Sequence, residues 1–139
     1  MIDLYTWPTP NGHKVHILLE ETGLEYRVHP IDIGAGEQFK PEFLAISPNN
    51  KIPAMVDQRC PGGKPFALAE SGAMLFYLAS KTGRFLPQDV RDRWEVMQWV
   101  MFHMGHIGPT WPICVIIHCI TCQRFFRSFG RNLPVLEAR

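Results

Sequence analysis

The chain has 139 residues, 46% hydrophobic and 19% charged, with 14 Lys and Arg against 13 Asp and Glu for a net charge of +1. That size holds one domain, or one domain and part of a second, and the composition excludes a largely disordered chain. The near-neutral balance creates no overall field to draw nucleic acid or an anionic membrane, so neither is an expected partner.

The N-terminus, Met-Ile-Asp-Leu-Tyr, has neither a basic leader nor a long apolar run, and no signal peptide is expected. Residues 2–5 alternate and predict a first strand, with Tyr5 inside it as a packing residue. Thr9-Pro10 then starts a helix. A threonine cap satisfies an orphan amide, and a proline at the first helical position has none to leave unpaired. Val15, Leu18, Leu19 and Thr22 share one helical face, and Gly23 ends the helix. Residues 26–31 read as a second strand, parallel to the first across a right-handed crossover.

A loop with Gly34 and Gly36 leads to a short helix near residues 39–44, and Ser47-Pro48-Asn49-Asn50 is turn chemistry. Residues 54–56 and 66–68 flank the Pro-Gly-Gly at 61–63 as a hairpin. Glu70-Ser71 opens a helix with Leu75, Leu78 and Ala79 on one face, stopped at Gly83. The order is βαβ, a helical loop, then ββα: an α/β, thioredoxin-like domain over residues 1–82. A linker at 83–88 precedes a helix over 89–108, started by Pro87 and Asp89, whose apolar face is Val90, Trp94, Met97 and Met101. Beyond Gly105 the period breaks at Gly105, Gly108, Pro109 and Pro112.

Two motifs carry chemistry. Asn50-Lys51-Ile52-Pro53-Ala54-Met55 puts a proline at the head of a strand, facing the start of the first helix in this element order. A cis Ile52–Pro53 bond would turn the chain there and free the Ile52 amide and carbonyl to pair with an extended peptide, such as the cysteinyl unit of glutathione. By itself the motif also fits a trans proline at an edge strand. In Glu70-Ser71-Gly72, the serine at a helix start suits a carboxylate and the glutamate suits an ammonium group, the two charges of a γ-glutamyl end. Taken singly, that too is only a helix cap.

Residues 1–108 resemble a glutathione transferase, most closely the nu class of bacterial disulfide-bond oxidoreductases. The resemblance is carried by Thr9-Pro10-Asn11-Gly12-His13-Lys14, Gln38-Phe39-Lys40-Pro41-Glu42-Phe43, residues 46–54, Glu70-Ser71-Gly72-Ala73, Leu75-Phe76-Tyr77-Leu78-Ala79 and Gln98-Trp99. It implies that Thr9 and Asn11, as the catalytic residues, flank the glutathione sulfur. It places Gln38 and Lys51 near the glycyl end, Ile52 beside Pro53 on the cysteinyl backbone, and Glu70 with Ser71 on the γ-glutamyl group. It further implies a homodimer and an all-helical second domain, of which this chain would carry a truncated start.

Physics supports the two donors. A thiolate at a helix start is favoured by unpaired amides, and a hydroxyl and an amide can each donate to it. The expected activity is glutathione-dependent disulfide reduction, with conjugation to electrophiles or peroxidase chemistry alongside. The alternatives are a non-catalytic glutathione-binding or regulatory module, or an inactive truncated product. Glutathione is the only cofactor or co-substrate expected, with no metal, and small disulfides or electrophiles are the second substrate.

Cysteines stand at 60, 114, 119 and 122, a clustering that suits a reducing cytoplasm better than a secreted disulfide scaffold. The Cys119–Cys122 CxxC lies far from the first helix, where a thioredoxin-type redox pair belongs. Its spacings to His103, His106 and His118 fit no standard zinc pattern, so it is read as incidental. The apolar run at 113–120 is far shorter than the roughly 20 residues of a membrane-spanning helix. Residues 109–139 lose both the period and the resemblance, and read as a divergent segment with the character of a shifted reading frame.

Overall fold

A computed structural model describes residues 1–60 and 62–108. The chain divides into two compact units, Met1–Thr82 and Gly83–Arg139. In the first, β1 (Ile2–Thr6), α1 (Pro10–Thr22) and β2 (Tyr26–Pro30) make the expected βαβ. A 3-10 turn (Glu37–Phe39) and α2 (Pro41–Leu44) follow, then β3 (Ala54–Asp57), β4 (Phe66–Ala69) and α3 (Ser71–Thr82). The four strands form one sheet in the order β2-β1-β3-β4, with β1 parallel to β2 and β3 antiparallel to both β1 and β4.

Strand alternation decides which side chain goes to which face. Ile2 and Leu4 share a face with their register partners Asp57 and Met55, and all four are at most 1% exposed. Val15, Leu18 and Leu19 of α1 and Leu75, Leu78 and Ala79 of α3 are buried, as the spacing of the two helices predicts, and Met74, outside the expected face, is fully buried beside them. Burying each such Val, Leu or Met side chain contributes about 1.5–3 kcal/mol. Asp3 and Tyr5 point to the other face. There Tyr5 stacks on His29 at 4.6 Å and meets Phe43 of α2 at 6.4 Å, a packing role that keeps it off the α1 side.

Both helix ends of this unit follow from local sequence. Thr9 caps α1 with its oxygen accepting from the Gly12 amide at 3.3 Å, and Pro10 takes the first helical position. Gly23 and Gly83 adopt left-handed φ of 71° and 67°, which closes α1 and α3 at little steric cost.

In the second unit, Asp89 caps α4 (Val90–Phe102) by accepting from the Arg91 and Asp92 amides, and a π turn over His103–Ile107 carries the helix past Gly105. The expected apolar face is the wrong one. Val90, Trp94 and Met101 are more than half exposed, while Val96 and Val100 are buried. The helix carries two apolar stripes, and periodicity alone cannot choose between them. The Cys119–Cys122 pair, the apolar run at 113–120 and the segment 109–139 expected to be divergent lie outside the described residues. No described helix is long and apolar enough to cross a membrane.

Candidate functional site

The sheet order carries the ends of three elements to one edge. Tyr5 pairs with Ala54 and Ala54 with Ala69, so the next residues outward are Thr6, Pro53 and Glu70, side by side across three strands. Thr9 and Asn11 continue from the first, Ile52 and Lys51 precede the second, and Ser71 follows the third. Residues 60 positions apart in sequence thereby converge.

On the β1 side the site is the start of α1. Thr9 is extended, with φ −136° and ψ 157°, and half-buried, whereas Asn11 is exposed. The turn takes up the Gly12 amide at Thr9 Oγ1 and the His13 amide at Thr9 O, and Pro10 has no amide. That leaves the Asn11 N–H facing out of the helix end. Thr9 accepts through its oxygen and so keeps its hydroxyl proton to donate. No acidic residue occupies this first turn, so the partial positive charge of the helix start is not neutralised there. A thiolate is the kind of group such an end stabilises.

The end of β1 and the start of α1 approach closely because residue 12 is glycine. A Cβ at Gly12 would meet Thr6 Oγ1 at 2.5 Å and the Trp7 carbonyl at 2.8 Å. Sequence reading missed this role. The signal was present: a glycine in the first turn of an otherwise regular helix costs up to about 1 kcal/mol relative to alanine.

On the β3 side the Ile52–Pro53 bond is cis, as expected. Pro53 is buried, Ile52 half-buried and Lys51 exposed, and the pairing of β3 begins only at Ala54. On the β4 side Ser71 is buried at the first position of α3 and Glu70 is exposed. Glu70 holds a left-handed φ of 70° while its carbonyl accepts the Met74 amide at 3.0 Å. A non-glycine residue there costs about 1–3 kcal/mol, and such strain gathers at functional positions. Gln38 stands apart. It follows β2, two strands from β3, and its Nε2 donates back to the Ile33 carbonyl at 3.4 Å.

The β3 and β4 arms are tied from behind. Asp57, fully buried, accepts from Tyr77 Oη at 2.5 Å, Lys81 Nζ at 2.6 Å and the Arg59 amide at 2.8 Å. Burial pushes its carboxyl up, but the bonds from Lys81, Tyr77 and the Arg59 amide outweigh that and hold it below the usual carboxylate value. Burial and the Asp57 bond together raise the Tyr77 hydroxyl well above its ordinary range, so it stays protonated and donating. A cavity of about 290 Å³, lined by Thr6, Trp7, Pro8, His13, His16, Val28 and Pro30, adjoins the end of β1 on the β2 side. Among the described residues no three of His, Cys, Asp and Glu gather closely enough to hold a metal.

Residues 1–80 match the family model for the N-terminal domain of glutathione S-transferases. The chain is 56% identical over 148 aligned residues to the disulfide-bond oxidoreductase YfcG of Escherichia coli (strain K12), an alignment covering 96% of this chain and 69% of that protein. That coverage runs past residue 109, into the segment whose sequence reads as divergent. YghU of the same organism, also a disulfide-bond oxidoreductase, is 46% identical over 75% of this chain and 38% of its own length. A glutathione transferase from Pseudomonas putida, solved with one glutathione disulfide per subunit, superposes with a TM-score of 0.76 at 53% identity, covering 78% of this chain and 47% of that one. The chain thus spans about two thirds of YfcG and less than half of the other two.

Proposed function

The chain belongs to the glutathione S-transferase family, and from that premise we propose that it is a glutathione-dependent disulfide-bond reductase whose reacting sulfur is supplied by glutathione. The observation that carries this reading is the register that sets Thr6, Pro53 and Glu70 abreast at one sheet edge, with the start of α1 directly beyond. The tripeptide lies across the ends of β3 and β4. Ile52, beside Pro53, pairs with its cysteinyl backbone, Glu70 and Ser71 take the γ-glutamyl ammonium and carboxylate, and Lys51 lies toward the glycyl carboxylate, which Gln38 would reach from the loop after β2 by giving up its bond to the Ile33 carbonyl.

Thr9 and Asn11 then donate to the sulfur and favour the thiolate, each unit of lowered thiol pKa corresponding to about 1.4 kcal/mol. The thiolate attacks one sulfur of a substrate disulfide. That S–S bond breaks, a mixed disulfide with glutathione forms, and the departing thiolate takes a proton from solvent. A second glutathione thiolate attacks the glutathione sulfur of the mixed disulfide, which releases oxidised glutathione and the second substrate thiol. No protein cysteine takes part. The family's homodimer and a reducing cytoplasm, where Cys60 stays a free thiol, complete the proposal.

The test is the full chain assayed with glutathione and hydroxyethyl disulfide, beside calorimetric titration with oxidised glutathione. Turnover with binding is the expected result. Binding without turnover would favour a non-catalytic glutathione module, and silence in both would overturn the reading.

A further inference from the structure

Ser47 is fully buried in the loop between α2 and β3, and its Oγ donates to the Lys51 carbonyl at 2.8 Å. Ser47 is itself held, its amide donating to the Phe43 carbonyl at 2.8 Å and its own carbonyl accepting the Asn50 amide at 2.9 Å. Between these anchors Asn50 takes a left-handed φ of 49°. One serine therefore closes the loop twice, immediately ahead of the residue placed on the cysteinyl backbone.

The Lys51 carbonyl and the Ile52 amide belong to one planar peptide unit. The peptide unit between 51 and 52 is trans, so its C=O and N–H point in opposite directions. Turning the carbonyl inward to Ser47 turns the Ile52 N–H outward. The pairing of β3 starts two residues later, so the sheet does not set this direction. Lys51 is exposed, so burial of its side chain does not set the plane instead.

The geometry points to Ser47 as a positioning residue for glutathione: through the Lys51 carbonyl it aims the Ile52 amide at the cysteinyl unit without touching the ligand. This role rests on the reading of the edge as a glutathione site. It concerns binding, because the donors to the sulfur lie on α1, a different element.

The experiment is Ser47→Ala in the full chain, with disulfide reduction assayed at varied glutathione and S-methylglutathione titrated by calorimetry. The KM for glutathione and the Kd for S-methylglutathione each rise about fivefold, the worth of one hydrogen bond, while kcat stays within a factor of about two and the binding stoichiometry is unchanged. A purely structural role would lower stoichiometry and apparent kcat with Kd unmoved, and that pattern, or an unchanged KM, overturns the proposal. Ser47→Cys, close in size with a weaker donor, covers an Ala variant that fails to fold. Its KM rises at least about twofold, and a wild-type KM in folded Cys variant counts against the proposal. Wild-type protein that does not bind S-methylglutathione would instead defeat the functional reading itself, and the role of Ser47 with it.

Discussion

Thr9 caps α1 by accepting from the Gly12 amide, and in the proposed mechanism its proton goes to the incoming sulfur, whereas exposed Asn11 would have only that second task. The two residues therefore fail differently. Thr9→Ala loses the cap as well, and urea denaturation should show a loss of about 1 kcal/mol, which Thr9→Ser restores. Asn11→Ala should lower disulfide-reductase turnover roughly tenfold or more with no change in melting temperature. Thr9 was legible in the sequence because capping is written in neighbouring residues, Thr-Pro at the head of an apolar stripe. The left-handed backbone of Glu70 was not, since that conformation is imposed where β4 meets α3 rather than by the residue's own preference. The Gln38 bond to Ile33 was equally hidden, a contact set by the loop's path.

At the scale of elements the site is a matter of how tightly α1 meets the end of β1. Gly12→Ala would drive a methyl into Thr6 Oγ1 and the Trp7 carbonyl, and a carbonyl cannot rotate away as a side chain does. The first turn should shift, with stability falling about 1–3 kcal/mol by denaturant melting and turnover falling with it. The buried face of α1 was readable because Val15, Leu18 and Leu19 form its one apolar stripe. In α4 the stripe of Val90, Trp94 and Met101 competed with that of Val96 and Val100, and packing chose the second. The β1–β2 and β3–β4 pairings were legible from the βαβ and ββα units, whereas the β1–β3 pairing that joins them was not. The register that sets Pro53 beside Glu70 came from the pairing itself.

For the molecule as a whole, Asp3 and Asp57, the buried carboxylates among the described residues, shape the response to acid. The His29 bond holds Asp3 below its ordinary value, and the bonds at Asp57 do the same against its burial. A carboxyl with a lowered pKa in the folded state stabilises fully above the unfolded value of 3.8 and loses that stabilisation as pH falls through the lower folded value. The melting temperature should therefore drop below about pH 4. Asp57→Asn should melt lower at neutral pH and fall less steeply in acid, as scanning calorimetry across pH would show. The residues proposed to hold glutathione lie wholly in the unit Met1–Thr82.

Ultraviolet difference titration of the bound glutathione thiol against pH, on the full chain, reads that sulfur. The bound-thiol pKa should lie about one to two units below the free value near 8.5, with most of that shift lost in Asn11→Ala. Glutathione that binds with its thiol unshifted, or an Asn11→Ala variant that keeps the whole shift, would contradict the proposed mechanism.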